Sequence, residues 1–574
     1  MAYKRLQDCI NDLEENKELL IINDQVDPNL EMSSIHLDEF ANESKAILYN
    51  NIKGTKFKAV SNLFGTIDRS RFMFRDSIQN VKSLIKIKTN PQYILKHPIR
   101  SLFDLLNGVY AIPKRVRFPR SFYEIKVEDL PQIKCWKRDG GSFVTLPQVY
   151  TEDPDHPGIM NSNLGMYRVQ LSGNDYIRNK EIGLHYQIHR GIGIHHQKAN
   201  RLNKPLRVSI FIGGPPSHTF AAVMPLPEGI PEISFAGVLG RRRFRYAIKD
   251  GYTISTDADF VICGEIHTDE TKLEGPFGDH LGYYSLQHHF PLMRVKKVYA
   301  RKDSVWPFTV VGRPPQEDSQ FGKLIHEITD FAIKKEIPGL KELNAVDDAG
   351  VHPLLLAVGK ERYTPFNRTE QPQEILTIAN HILGTGQMSL AKYLFICDDV
   401  DAPSVYNEED FITHILERVE WQRDLHFYTK TTIDTLDYTG DGLNQGSKVV
   451  IAAAGDVKRK LSKEKEDMKL PSDFSNFKFV SKGNVVIEGN GDIQDLISYL
   501  ETCDISNIGL ISIVDDAIFS SENFSNWMWT VFTRSNPASD IYGLNSRDLD
   551  KHFSCSIPII DARIKKHHAP LLER

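Results

Sequence analysis

The chain has 574 residues, of which 41% are hydrophobic and 25% charged, and its formal net charge is −5. That is the make-up of a globular protein with room for about three or four domains, and its charge gives no reason to expect a nucleic-acid partner. The six cysteines lie far apart with no CxxC pair, so neither a zinc site nor a disulfide framework is indicated, and a reducing, cytoplasmic setting is expected. No apolar run approaches the roughly 18 residues of a membrane span, and the charged opening MAYKRLQDCINDLEENKE is unlike a signal peptide.

Residues 1–65 alternate helix and strand signals. Arg5 to Asn16 has helical spacing, and Leu19–Ile22, Ala46–Tyr49 and Phe57–Val60 are short apolar runs that end at turn residues, which predicts a small α/β unit. Residues 66–120 differ: between Arg69 and Arg120 there are twelve Lys/Arg and only two acids, Asp76 and Asp104. Apolar residues recur there at helical spacing, which predicts a helical insert whose basic face meets water or rests on anionic lipid. Residues 121–320 are strand-rich, with short alternating runs such as Leu206–Ile212 broken by glycine and proline, and predict a β-barrel-like domain. A connecting helix is expected within 321–345. Apolar strands such as Tyr393–Cys397, Val449–Gly455 and Ile508–Val514 then predict a second α/β domain over 346–545 with a central sheet, and 546–574 read as a basic tail.

The stretch Glu274-Gly275-Pro276-Phe277-Gly278-Asp279-His280-Leu281-Gly282-Tyr283-Tyr284-Ser285 carries the chemistry. Its glycines and proline exclude a helix interior and a regular strand, so two carboxylates five residues apart must project from a tight loop. A polar surface turn is the plainer reading of these residue types alone. The functional one is a proton-handling pair, because neighbouring carboxylates push each other's pKa values apart.

Three further stretches stand out. In Asn163-Leu164-Gly165-Met166-Tyr167-Arg168 an amide oxygen can ligate a hard cation and a guanidinium can pair with phosphate or carboxylate. Gly183 to His196 holds four histidines, but their spacing fits no closed zinc site and the glycine-flanked Arg190 is the better candidate, as a phosphate contact. Met224 to Glu232 holds three prolines and two acids, one of which can complete a cation site with Asn163. Lys392 heads a buried strand that runs into Asp398-Asp399-Val400-Asp401, where it can reach an anion.

In this order, these segments resemble the UbiD family of decarboxylases, which use prenylated FMN with a divalent metal, usually manganese, and often potassium. The resemblance implies an N-terminal α/β domain, a central split β-barrel that holds the flavin, and a C-terminal α/β domain. It implies Arg168, Glu274 and Asp279 as the catalytic trio and Asn163 and Glu232 as metal ligands. It implies Met166, Tyr167, Arg168, His185, Tyr186, Gln187, Arg190, Gly191, Met224, Pro225 and Lys392 as cofactor contacts. Some relatives place a metal-binding histidine where this chain has Arg190, which would here meet phosphate directly. Asp279 within Gly-Asp-His-x-Gly-Tyr-Tyr is similar to the branch that acts on polyprenyl-hydroxybenzoates, so a quinone precursor is the expected substrate and the 66–120 stretch a peripheral membrane contact.

The chemistry agrees with such roles. Loss of CO2 leaves electrons on carbon that only a cofactor can accept, and an acid must then protonate that carbon. One of Glu274 and Asp279 is therefore expected to have a raised pKa, with Asp279 near the flavin and Glu274 nearest the substrate. A flavin prenyltransferase would supply the cofactor, and a homo-oligomer is expected. The rival readings are the same cofactor on a soluble phenolic or heteroaromatic acid, and a flavin- or metal-binding protein without turnover.

Overall fold

The computed structural model describes residues 2–573 apart from 43, 90–91, 97–103, 105, 187–190, 227–228, 364–369 and 465–467. The chain forms two compact units: Met1–Ala332 together with Leu571–Arg574, and Ile333–Pro570.

In the first unit the apolar runs near the N-terminus become Leu19–Val26, Ala46–Ile52 and Lys58–Ser61, joined by Val305–Phe308 in a four-stranded sheet. A larger sheet of nine strands runs Phe143–Val144, Val169–Gln170, Glu181–Leu184, His288–Arg301, Phe260–Glu274, Leu206–Ile212, Gln148–Glu152 and Ser162–Gly165, with Phe122–Ile125 added along His288–Arg301. Every pairing described in it is antiparallel. Its spine is the long hairpin of Phe260–Glu274 and His288–Arg301, which pair from Phe260↔Ala300 to Glu274↔His288. Register breaks after Cys263 and Ile266 let so long a hairpin curl, as bulges do, into a half-barrel. Glu274 is the last residue of its strand, so the acid loop is the tip of this hairpin.

The basic stretch is less of an appendage than its charge suggests. Thr66 caps the helix Ile67–Met73 through its side chain. Met73, Phe74, Ile78 and Val81 are buried in the same core as Phe64, Phe220 and Leu239. The apolar face of residues 67–81 thus outweighs the basic one and makes this part integral to the unit. Only farther on do apolar side chains reach the surface, at Leu95, Leu106, Val109 and Ile112. Among the described residues no helix is long and apolar enough to cross a membrane.

The second unit holds two five-stranded sheets rather than one central sheet. Leu340–Ala345, Leu354–Gly359, Tyr393–Asp398, Gly446–Ala453 and Leu425–Thr431 make the first, in that order, with a parallel centre and antiparallel edges. Phe474–Ser481, Asn484–Gly489, Leu510–Val514, Pro558–Asp561 and Ile541–Gly543 make the second. Two sequence readings change here. The helix expected within 321–345 runs Glu317–Glu336 and is followed by a strand from Leu340. Residues 546–570 are not a tail: Pro558–Asp561 lies inside a sheet, because the apolar run Ile557-Pro558-Ile559-Ile560 is buried despite its basic surroundings.

Candidate active site

Sheet pairing assembles the acid loop with the Asn163–Arg168 stretch. Val169 pairs with Leu184, and the His185 N–H donates to the Arg168 carbonyl at 3.3 Å, so Arg168 and His185 leave neighbouring strands side by side. Glu274 arrives from the adjoining hairpin. The Arg168 guanidinium then binds both acids: Nε to Glu274 Oε1 at 2.8 Å, Nη2 to Glu274 Oε2 at 2.9 Å, and Nη1 to Asp279 Oδ2 at 2.5 Å. Nη2 also donates to Ser285 Oγ at 2.8 Å, and the Phe277 ring lies 4.7 Å from the guanidinium carbon. His185 Nδ1 lies 3.2 Å from Glu274 Oε2, and His280 Nδ1 lies 2.8 Å from Asp279 Oδ1.

The loop is fixed through its backbone. Gly275 N–H donates to Gln170 Oε1 at 2.9 Å, Asn174 Nδ2 donates to the Gly275 carbonyl at 2.9 Å, and Gly278 N–H donates to Asp139 Oδ1 at 2.8 Å. Gly278 must lack a side chain, since a Cβ there would lie 2.0 Å from the Trp136 ring. The Asp279–Tyr283 turn closes on itself, with Asp279 N–H donating to the Tyr283 carbonyl at 2.9 Å.

Glu274 is fully buried and Asp279 is 7% exposed. Burial alone would raise both pKa values, as the loop's composition suggests. The structure reverses that expectation. The charge and hydrogen bonds of Arg168, with help from His185, hold Glu274 well below the usual carboxylate range. His280 and Arg168 likewise override burial at Asp279. A guanidinium between the two carboxylates removes the repulsion that would have separated their pKa values, so both rest ionised. Burial, then the charge of Arg168, lowers the pKa of His185.

Beside this cluster lies a second group. Asn163 is buried, its Oδ1 accepts from the Tyr167 hydroxyl at 3.3 Å, and its Nδ2 has no hydrogen-bond partner among the described residues. The Gly191 backbone closes on it: a Cβ on Gly191 would lie 2.1 Å from Asn163 Oδ1. Glu232 begins the helix Glu232–Leu239, accepts from Leu164 N–H at 2.9 Å, and has its pKa raised by burial. Tyr186, whose ring is 6.2 Å from that of Tyr167, has its hydroxyl 2.8 Å from His196 Nδ1. Met166 donates its N–H to the Ala222 carbonyl at 2.9 Å, Met224 is buried just after the helix Pro216–Val223, and Pro225 is exposed. Gln187 and Arg190 lie outside the described residues.

Lys392 has another task than the one expected of it. Its ammonium, fully buried in the second unit, pairs with Asp437 at 2.7 Å and donates to Thr439 Oγ1 at 3.0 Å and the Ser535 carbonyl at 2.7 Å. Those three partners use its three donors. Sequence reasoning missed the parts played by Ser285 and His280, although both stand within the quoted loop, and it missed Asp139, for which the sequence carries no signal.

Known proteins agree on what this arrangement belongs to. Models of the 3-octaprenyl-4-hydroxybenzoate carboxy-lyase (UbiD) family match in three parts: the N-terminal domain at residues 10–88, the Rift-related domain at 115–314 and the C-terminal domain at 319–453. A Chlamydia pneumoniae protein named as part of a 4-hydroxybenzoate decarboxylase is 34% identical over 571 residues, covering 97% of this chain and 93% of that protein. An uncharacterized Aquifex aeolicus protein is 32% identical over 470 residues, covering 79% and 92%. Among solved structures, the closed form of Sedimentibacter hydroxybenzoicus vanillic acid decarboxylase superposes with a TM-score of 0.67 at 20% identity, covering 82% of this chain and 97% of that one. HmfF from Pelotomaculum thermopropionicum, solved with FMN, gives 0.62 at 17% identity, covering 81% and 97%. With family models over most of its length and full-length relatives at a third identity, the chain belongs to the UbiD family of carboxy-lyases.

Proposed function

We propose that the chain is a non-oxidative decarboxylase that uses prenylated FMN on an aromatic or α,β-unsaturated carboxylic acid, with a polyprenylated 4-hydroxybenzoate as the first candidate. The observation that carries this reading is the buried Arg168–Glu274–Asp279 cluster, since mere binding of a flavin or a metal needs no pair of acids bridged by one guanidinium. The neighbouring group suits the cofactor. Asn163 and Glu232 offer the hard oxygens that a divalent cation takes, and the unpartnered Asn163 Nδ2 offers a donor to a phosphate oxygen. Asn163 and Glu232 would hold manganese, with potassium as an accompanying cation. Met166, Tyr167, Arg168, His185, Tyr186, Gln187, Arg190, Gly191, Met224 and Pro225 would surround the flavin.

When bound, the prenylated flavin supplies the electron sink that loss of CO2 requires. The chain's own residues manage charge and the proton. Arg168 fixes both carboxylates and remains charged throughout. Asp279 stays ionised between Arg168 and His280. A substrate carboxylate that enters beside Arg168 competes for its charge and raises the affinity of Glu274 for a proton, which His185 is placed to relay. Glu274 then returns that proton to the carbon that has lost CO2.

A second reading of the substrate, a small phenolic acid, is favoured by the name of the Chlamydia pneumoniae relative and the likeness to vanillic acid decarboxylase. The exposed Leu106, Val109 and Ile112 beside Lys114 and Arg115 favour the lipid-soluble one, as they form an apolar and basic surface suited to peripheral membrane contact. The test is expression with and without a flavin prenyltransferase in added manganese, followed by mass and absorbance spectra and a panel of polyprenyl-hydroxybenzoate, 4-hydroxybenzoate and vanillate. Prenylated flavin only in the co-expressed sample, with CO2 release from one panel member, is expected. No flavin in either sample overturns the proposal.

A further inference from the structure

The acid loop is met by a segment from far along the chain. Residue 571 follows directly on the last residue of the second unit, yet Leu571–Arg574 belong to the first. Leu571 forms an antiparallel bridge with Tyr283, and the Leu572 N–H donates to the Gly282 carbonyl at 3.2 Å. The Leu572 side chain packs into the core that contains Trp136, and both approach Gly312, where a Cβ would lie 2.9 Å from the Trp136 ring and 3.6 Å from Leu572 Cδ1. Glu573 pairs with Arg138, whose own N–H donates to the Tyr284 hydroxyl at 3.3 Å.

These contacts fall on one side of Asp279. Its turn is closed by Asp279 N–H on the Tyr283 carbonyl and by Gly282 N–H on the Asp279 carbonyl at 3.0 Å. Gly282 and Tyr283 are the two residues that the segment grips. On the other side, Gly278 is held by Asp139 and by the Trp136 ring. Tyr284 and Ser285 pair with Gly278 and Phe277, and Leu571–Glu573 adds the contacts to Gly282 and Tyr283 at the crest of the turn. The Arg138–Glu573 pair is about half exposed at both ends and adds little on its own. The backbone bridge and the Leu572 packing do the holding.

We propose that Leu571–Glu573 is a positioning strap for the active site: it fixes the Gly282–Tyr283 limb of the turn and thereby aims the Asp279 carboxylate at Arg168. The significance for catalysis rests on the decarboxylase reading above; the ordering of the turn does not.

The test uses two variants, a chain ending at Pro570 and the full chain with Leu572→Pro, which removes the N–H that the Gly282 carbonyl accepts. Amide hydrogen exchange over residues 277–285 is read against the hairpin core, residues 260–266 and 295–300. The strap predicts exchange at least tenfold faster over 277–285 in both variants, with the hairpin core unchanged. Where a panel substrate is turned over, it also predicts a kcat at least tenfold lower with KM within threefold. Unchanged exchange over 277–285 overturns the proposal. So does acceleration throughout the first unit, which would make the segment a general staple, and so does local acceleration with full kcat. The exchange measurement needs no substrate, so its outcome is independent of whether the decarboxylase reading stands.

Discussion

Arg168 grips Glu274 through two parallel hydrogen bonds of 2.8 and 2.9 Å, and Glu274 has no exposed surface at all. A carboxylate in that position is ionised only because the guanidinium is there. Arg168→Met therefore strands a buried charge, with a stability loss of about 3–5 kcal/mol and a fall in kcat of about 10²-fold or more. Arg168→Lys restores a charge but not the fork that spans both acids, so it recovers part of the stability and little of the rate. Denaturant melts beside turnover of the best panel substrate separate the two effects. Equal recovery of both by lysine would mean that charge alone matters.

Two sets of buried acids give opposite pH dependences. Glu274 and Asp279 have folded pKa values below their unfolded ones, so their contribution is full above about pH 4 and is lost as pH falls through the folded values. Glu317 is the reverse: burial pushes it up to about 7, against the pull of the Phe64 N–H it accepts and of Arg69. Its contribution is full below about pH 4 and is lost as pH rises through about 7, a swing of roughly 3 kcal/mol. Glu317→Gln keeps an acceptor for Phe64 and cannot ionise. It should melt higher than the parent at pH 8 and close to it at pH 4.5, whereas Glu274→Gln with Asp279→Asn should melt lower than the parent at pH 8, with a gap that narrows on acidification.

The sequence made the acid loop visible because backbone chemistry and side-chain chemistry coincide there. Glycine and proline exclude regular structure just where two carboxylates occur, and the fold puts Glu274 at a strand end and Asp279 in a turn. The strands of the large sheet were legible from alternation, as at Leu206–Ile212. The ionisation of the pair was not legible, because it depends on Arg168, which is more than a hundred residues away in sequence and is brought in by strand pairing. Asp139 and Leu571–Glu573 were hidden for the same reason: their function lies in backbone contacts to the loop, which no residue type announces. Net charge misled at residues 67–81, where apolar side chains interleaved with basic ones decide burial, and again at 557–560, an uninterrupted apolar run within a basic stretch.

Lys392 shows how a cation that looks available in sequence is committed in the fold. Its partner Asp437 is 4% exposed, so Lys392→Met leaves a buried carboxylate unpaired and should cost about 3–5 kcal/mol. Because all three ammonium donors are used inside the second unit, FMN affinity should be unchanged under conditions where the variant remains folded. Denaturant melts with flavin fluorescence titration check both points, and a loss of FMN affinity without loss of stability would restore Lys392 as a cofactor contact.

Gly191 offers the sharpest test of the cation site, because one methyl group suffices. Its added Cβ would lie 2.1 Å from Asn163 Oδ1 and 2.7 Å from Asn163 Cγ, so Gly191→Ala must turn the Asn163 amide away. The backbone itself tolerates the change: Gly191 opens the helix Gly191–Arg201, where alanine is at least as favourable as glycine. The fold should therefore keep its melting temperature while the amide oxygen and the unpartnered Nδ2 leave their places. If Asn163 is a ligand, manganese retained after dialysis should fall by at least tenfold, with a parallel loss of FMN affinity, and Asn163→Ala should give the same result by removing the amide outright. Glu232→Gln would add to that loss by withdrawing the carboxylate charge. Full manganese and flavin loading in Gly191→Ala would mean that Asn163 only braces Tyr167, and the cation would have to be sought on other oxygens.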